Sequence, residues 1–269
     1  MHSLSSLALL LAASSIPVIS ASRILIPADS FSSQTAFNTS WAPLYPWGTD
    51  HNGAARMSAS QISLLPDDNN NNNNNNNTNS STVVLTATPS PNQPPASHGG
   101  KSIPIHYLSG AIHARQTFSV SSPGGGLDFS AEVLAPVSRG TWPAFWLTYV
   151  DGWPPEVDLA EWKGSGKVSF NTFNTSSQVA ARDVEYPRPG EWHAVRAEMR
   201  AAKGGGNTDV EVRFFLDGRL VVTQVGKGYV GKEMYLIINL QMEGSSGSPG
   251  PKGDTTYQIR NVEVVSYNP

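Results

Sequence analysis

Glu156, Asp158 and Glu161 stand in one short run, Trp153-Pro-Pro-Glu-Val-Asp-Leu-Ala-Glu-Trp162, in a chain with only 21 Asp and Glu among 269 residues. Acids gathered inside an apolar run call for a reason. Breaking an acetal bond between sugars needs one carboxylate to attack the ring carbon and another to protonate the departing oxygen. The tryptophans at either end add flat apolar faces on which pyranose rings lie. On a regular strand, residues i, i+2 and i+4 share a face, so Glu156 and Asp158 point together while Glu161 points away. One extra residue at Leu159-Ala160, a β-bulge, returns Glu161 to the side of its neighbours. Glu156 is then the expected nucleophile, Glu161 the acid/base, and Asp158 the neighbour that orients Glu156. Crowded carboxylates cannot all ionise freely, which is expected to keep Glu161 protonated until it donates. A pair working by double displacement sits about 5–5.5 Å apart. The plainer alternative is an exposed edge strand bearing ordinary acids.

The elements that must position these acids read as strands. Trp142 to Tyr149 lies upstream and Val168 to Asn174 downstream. Ile103–Leu108, Leu127–Leu134, Val210–Leu216 and Tyr257–Val265 all alternate with a period near two. Leu216-Asp-Gly-Arg-Leu220 is a hairpin, with Asp217-Gly218 supplying the positive φ of a two-residue turn, and Trp192–Ala201 reads as a further strand. Long amphipathic helical patterns are nearly absent, so an all-β sandwich of two packed sheets is expected. A polar tract, Asp67-Asp68 followed by asparagines from Asn69 to Asn77, runs on to about Ser81 between two strand-like segments. It reads as an expanded hairpin loop that cannot bury enough apolar area to order itself. Pro89–Ser102 and Gly244–Asp254 read as loops inside one domain, not as linkers between two.

Residues 1–21 read as a secretory leader, with a serine-interrupted apolar stretch, Pro17 and small residues suited to cleavage. Residues 22–269 then form a single domain, expected to be secreted and monomeric. No later segment is long and apolar enough for a membrane-spanning helix. The chain has no cysteine, which removes thiolate metal sites and thiol nucleophiles. A formal charge of −3 and a pI near 6.1 give no footprint for nucleic acid or an anionic membrane. Asn38-Thr-Ser, Asn76-Asn-Thr, Asn79-Ser-Ser and Asn174-Thr-Ser match the N-glycosylation pattern.

Gly140-Thr-Trp-Pro-Ala-Phe-Trp-Leu, followed by a Gly/Trp/Pro turn and Glu156-Val-Asp-Leu-Ala-Glu161, resembles the signature of the family 16 glycoside hydrolases. Trp47-Gly-Thr-Asp-His-Asn-Gly-Ala-Ala-Arg-Met57, Val83–Thr88, Leu108-Ser-Gly110, Glu191-Trp-His193, Phe215-Leu-Asp-Gly218 and Leu236–Leu240 extend the resemblance in the family's order. The resemblance implies a concanavalin A-like β-sandwich jelly roll, an open cleft, retention at the anomeric carbon, and no metal or organic cofactor for the chemistry. It implies Glu156, Asp158 and Glu161 as nucleophile, assisting acid and acid/base, Trp142 on the cleft floor, and Asn171 facing the substrate. Phe145 and Trp146 are expected in the core. Trp162 suits packing or sugar stacking, and Trp153 the rim or packing. Two departures stand out. No tryptophan follows Asn239-Leu-Gln-Met-Glu-Gly244, where Gln241 and Glu243 are candidates for the wall or for an exposed pair. Ala111 stands where arginine is frequent, leaving His113 and Arg115 as candidates for the cleft edge. The expected activity is endo-hydrolysis of β-1,3- or mixed β-1,3/1,4-glucan. The alternatives are a sugar-binding jelly roll without catalysis, or the same fold acting on galactan or transferring to another chain.

Overall fold

His193 to Ala201 is buried at every second residue over most of its length, the pattern that makes a strand lie between a core and solvent. The same rule repeats along the chain. The computed structural model describes residues 22–66, 81–121, 125–202 and 208–267. In chain order the elements are β1 (Ser22–Ile26), α1 (Gln34–Ser40), β2 (Trp41–Pro43), β3 (Ala55–Met57), β4 (Ile62–Leu65), β5 (Thr82–Pro89), β6 (Ala96–His98), β7 (Lys101–Ile103), β8 (Tyr107–Ser109) and β9 (Ala111–Ala114). They continue as β10 (Gly126–Leu134), β11 (Thr141–Tyr149), β12 (Glu156–Trp162), β13 (Lys167–Thr175), β14 (Gln178–Glu185), β15 (His193–Ala201), β16 (Val210–Leu216), β17 (Arg219–Gly226), β18 (Met234–Met242) and β19 (Thr255–Tyr267). Short 3₁₀ turns lie at Ala59–Gln61 and Gly244–Ser246.

Two sheets form the body, as the alternation predicts. A seven-stranded sheet runs β14-β13-β12-β11-β18-β9-β2, and a ten-stranded sheet runs β17-β16-β15-β10-β19-β5-β8-β3, with β1 on β19 and β4 on β5. Their inner faces pack as a jelly-roll sandwich. Phe170 of one sheet meets Phe214 of the other at 5.6 Å between ring centroids, and Trp162 meets Tyr257 at 6.0 Å. Burying a side chain of this size stabilises the fold by about 1.5–3 kcal/mol, which a chain without disulfides depends on. The Asp217-Gly218 turn has positive φ at both residues and joins β16 to β17, as expected of a turn that matches strand twist.

Some expectations shift. The strand expected over Ile103–Leu108 is confined to Tyr107–Ser109, because Pro104 has no N–H to continue a ladder. Pro89–Ser102 is not loop alone: β6 and β7 form a separate two-stranded hairpin with Gly99 and Gly100 at its tip. A short helix, α1, was not anticipated; Ser33 caps it by accepting from the Ala36 N–H. β4 and β5 pair antiparallel, and the asparagine-rich stretch between them lies, apart from Ser81, outside the described residues. So do the leader at 1–21 and the acceptors Asn76 and Asn79. Asn174 already uses its side-chain amide, donating to the Val225 carbonyl and accepting from the Lys227 N–H.

Candidate active site

The carboxylates sit where the spacing demands a bulge. Phe145 of β11 pairs with Ala160 and Trp146 with Asp158, which leaves Leu159 without a partner. On the other side Asp158 pairs with Asn171 and Glu161 with Ser169, so β12 spends one residue more than β13 over this interval. Leu159 and Ala160 both enter the apolar core, and Glu161 regains the face of Glu156 and Asp158. All three line one cavity of about 1130 Å³ on the concave side of the seven-stranded sheet. The same alternation supplies the floor. Trp142, Trp146 and Thr148 of β11 and Tyr235 of β18 face the cavity, whereas Phe145, Leu147, Leu236 and Ile238 face the core.

Each carboxylate has distinct partners. The Trp153 indole N–H donates to Glu156 Oε2 at 3.0 Å. Asn171 Nδ2 donates to Asp158 Oδ2 at 2.7 Å and lies 3.2 Å from Glu161 Oε2. Glu161 also accepts from Trp142 Nε1 at 2.5 Å and from the Lys163 ammonium at 2.8 Å. The start of β12 is pinned by the Tyr229 hydroxyl, which donates to the Phe173 carbonyl at 2.5 Å and accepts from the Glu156 N–H at 3.3 Å.

Burial and the Glu161 charge raise Glu156 from its ordinary value to about 8, against the lowering effects of Trp153 and Lys163. Asp158 is also raised well above its ordinary value, first by burial and then by Glu161 and Glu156, despite the Asn171 amide. Both shifts follow from placing like charges together away from water. Crowding was expected to leave the proton on Glu161. Glu161 accepts from the Lys163 cation and two neutral donors, and the raises fall on Glu156 and Asp158.

The remaining expected residues divide. Trp142 lies on the cavity wall and Trp153 on its rim, 50% exposed. Asn171 is buried beneath the acids, holding them rather than facing an open groove. Trp162 is completely buried between the sheets against Tyr186 and Tyr257, so its packing role stands and sugar stacking does not. Gln241 is 1% exposed, which removes the solvated reading. Its Oε1 accepts from the Ala55 and Met242 N–H groups, and it lies at the bottom of a small pocket under the acids. Glu243 is likewise buried, held by His106 and the Gly250 N–H.

His113 and Arg115 are not cleft residues. His113 Nδ1 donates to the Leu44 carbonyl and Arg115 Nε to the Asn38 carbonyl, and neither lines the cavity. His113 lies within β9 and Arg115 just beyond it, in the right sheet but toward its β2 edge. Trp146 goes the other way. It is buried as expected, 5% exposed, but on the cavity side of β11, its N–H donating to Asn239 Oδ1 at 2.7 Å. Its parity with Trp142 on one strand was the available signal.

Other lining residues come from loops that sequence reading did not select. Trp47 stacks on Tyr45 at 5.1 Å and stands 46% exposed. His51 lies over Trp146 at 5.6 Å and meets His98 from the tip of the β6–β7 hairpin at 5.3 Å. Burial, and then the His98 charge, lower His51 to about 4, so it stays neutral at ordinary pH. Gly53 lets this loop approach, since a Cβ there would lie 2.5 Å from the Gln241 side chain.

A jelly-roll sandwich with three acids at the floor of an indole-lined groove defines a polysaccharide-cleaving glycoside hydrolase. No protein-family model matches the chain. It is, however, 49% identical over 260 residues, 96% of either chain, to a galactan endo-β-1,3-galactanase of Flammulina velutipes. Its fold is that of an endo-1,3-β-glucanase from Streptomyces sioyaensis, with a TM-score of 0.62, 19% identity, and coverage of 96% of this chain and 100% of that one. It is also that of SCLam, a non-specific endo-β-1,3(4)-glucanase of family 16, with a TM-score of 0.61, 14% identity and 91% of both chains. The chain belongs to glycoside hydrolase family 16.

Proposed function

We propose that the protein is a secreted, retaining endo-β-1,3-galactanase. The observation that carries the substrate is the 49% identity spread over 96% of both chains with a galactan endo-β-1,3-galactanase. The structural likenesses to glucanases at 14–19% identity speak for the fold. The glucan expected from sequence thus gives way to galactan as the favoured polymer. Physical chemistry is compatible with it: the axial O4 of galactose leaves one ring face largely C–H, and indoles such as Trp142 and Trp153 receive that face well. Exposed indoles at Trp47 and Trp153 line the same cavity as the acids, which suits a site that holds several sugar rings.

Cleavage proceeds by double displacement. The Glu156 carboxylate attacks the anomeric carbon, the C1–O bond breaks, and the leaving oxygen takes the proton of Glu161. Water then attacks the glycosyl-enzyme, its proton passes to Glu161, and Glu156 is released with the anomeric configuration unchanged. Proton traffic among the three acids fits this sequence. Once Glu161 carries a proton, the like charge that raises Glu156 is gone, and Glu156 ionises more readily. Asn171 holds Asp158 and Glu161 in one network throughout.

The test is a panel of β-1,3-galactan, laminarin and mixed-linkage glucan, with product masses and the first-formed anomer followed by NMR. Galacto-oligosaccharides released as the β-anomer are expected. Preferential release from laminarin would return the reading to glucan, and products longer than the substrate would mark transfer in place of hydrolysis. Equal behaviour of wild type and Glu156→Gln would leave only a sugar-binding role.

A further inference from the structure

The small pocket under the acids holds about 50 Å³, and His51, Trp142, Trp146, Asn239 and Gln241 line it together with the carboxylates. A water molecule takes about 30 Å³, so this recess admits a hydroxyl group but not a sugar ring. Most of its neutral polar groups are already committed. Trp142 Nε1 donates to Glu161, and Trp146 Nε1 to Asn239 Oδ1. Gln241 accepts from the Ala55 and Met242 N–H groups and donates to the Ala55 carbonyl at 3.3 Å. Asn239 has only its N–H₂ group left over. His51 differs from all of these. Its imidazole lies over Trp146 and meets the rings of Trp47 and His98, and among the described residues neither ring nitrogen has a hydrogen-bond partner. Held near 4 by burial and the His98 charge, the ring is neutral and offers one donor and one acceptor nitrogen. A hydroxyl, which also donates and accepts, is the matching ligand.

We propose that His51 is a specificity-determining residue that binds the axial O4 hydroxyl of the galactose ring attacked by Glu156. The inference rests on the galactan reading and names the side chain that distinguishes this sugar. The rings of β-1,3-galactan and β-1,3-glucan differ only at C4. In β-glucose every ring substituent is equatorial and lies near the ring plane, whereas the O4 of galactose stands perpendicular to it. A narrow recess in a floor receives a group that projects from the ring above, not one that lies in its plane. Seating O4 there leaves the opposite C–H face of the ring for the Trp153 indole at the rim. With glucose in the same place the recess holds no hydroxyl. The His51 nitrogens then stay unpaired, which is how a buried polar group rejects an analogue that lacks its partner.

The test compares three substrates: 4-nitrophenyl β-1,3-galactobioside, its epimer with glucose as the nitrophenyl-bearing ring, and the analogue with that ring 4-deoxy. Wild type is expected to show kcat/KM about tenfold lower on the glucose and 4-deoxy compounds than on the galactobioside. His51→Phe keeps a ring over Trp146 but has no nitrogen. It should lower kcat/KM on the galactobioside about tenfold and leave the 4-deoxy compound nearly unchanged, so that the preference disappears. A merely structural role would depress all three substrates together. Equal wild-type rates on the galactobioside and its 4-deoxy analogue would overturn the proposal, and so would an undiminished preference in His51→Phe. The wild-type comparison needs no variant, so it decides the matter even should His51→Phe fail to fold. Wild-type rates on β-1,3-galactan and laminarin separate this inference from the reading beneath it. Preference for laminarin removes both. Preference for galactan, with the C4 discrimination intact in His51→Phe, removes the role of His51 alone.

Discussion

Replacing Glu156 with Gln separates chemistry from stability. Without the nucleophile, kcat/KM on the polymer is expected to fall by on the order of a thousandfold or more. The folded protein should respond in the opposite sense at high pH. Glu156 titrates at about 8 when folded, against an ordinary value of 4.5. Its contribution is therefore fully present below 4.5 and is lost as pH rises through about 8. Gln cannot ionise, so the variant's melting temperature should match wild type near pH 5 and exceed it near pH 9. Each 1 kcal/mol recovered is worth about 2–4 °C in a chain of this size, and melting at the two pH values checks the sign. The tryptophans give a second contrast. Trp162→Ala removes a fully buried ring and should cost about 3–5 kcal/mol of stability. Trp142→Ala, half-buried at the cavity, should cost less stability and lower kcat/KM at least about tenfold, through lost stacking and the lost N–H donor to Glu161. Denaturant titration and kinetics on the same preparations distinguish the two.

The unpaired Leu159 is the feature of β12 on which the site depends. Deleting it leaves Glu156, Asp158 and Glu161 at alternate positions, so all three keep the groove face and Trp162 keeps the core face without a bulge. The variant is expected to keep its acids in the groove and to retain measurable cleavage, at a cost of about 2–5 kcal/mol of stability for the lost buried Leu159 side chain. Complete loss of cleavage by a folded Leu159 deletion would show that the bulge itself, and not only the shared face, is required. This element was legible in sequence because the i, i+2, i+5 spacing of three acids is inconsistent with a regular strand and consistent with one extra residue. The face of Trp146 was equally open to reading, as the i+4 partner of Trp142 on β11. Gln241, His113 and Arg115 were not. Whether a polar side chain near a strand end faces a groove, a neighbouring backbone or the outer edge depends on which loop crosses it. Here Ala55 covers Gln241 and Leu44 covers His113.

At the scale of the whole molecule, the cleft is a sheet face walled by loops from distant parts of the chain. The His51 loop, the turn carrying Trp153 and the β6–β7 hairpin meet around β11 and β12. The hairpin belongs to neither large sheet, so replacing Ala96–Ile103 with a short glycine linker should change the melting temperature little. It should alter the lengths of released oligosaccharides, because His98 and Ser97 leave the wall. Mass spectrometry of a galactan digest reads this directly, and an unchanged product distribution would place the hairpin outside the substrate path.

Local chemistry along the chain determined the all-β class, the Asp217-Gly218 turn, the bulge at Leu159-Ala160 and the common face of Glu156, Asp158 and Glu161. Each depends on alternation or turn geometry within a few residues. Tertiary structure alone decided that Lys163 and Trp142 bind Glu161, that Asn171 lies beneath the acids, and that His51 and His98 meet over Trp146. Apart from Lys163, two residues from Glu161, those contacts join different strands and loops, and their burial, which sets where the protons lie, exists only once the two sheets have closed on each other.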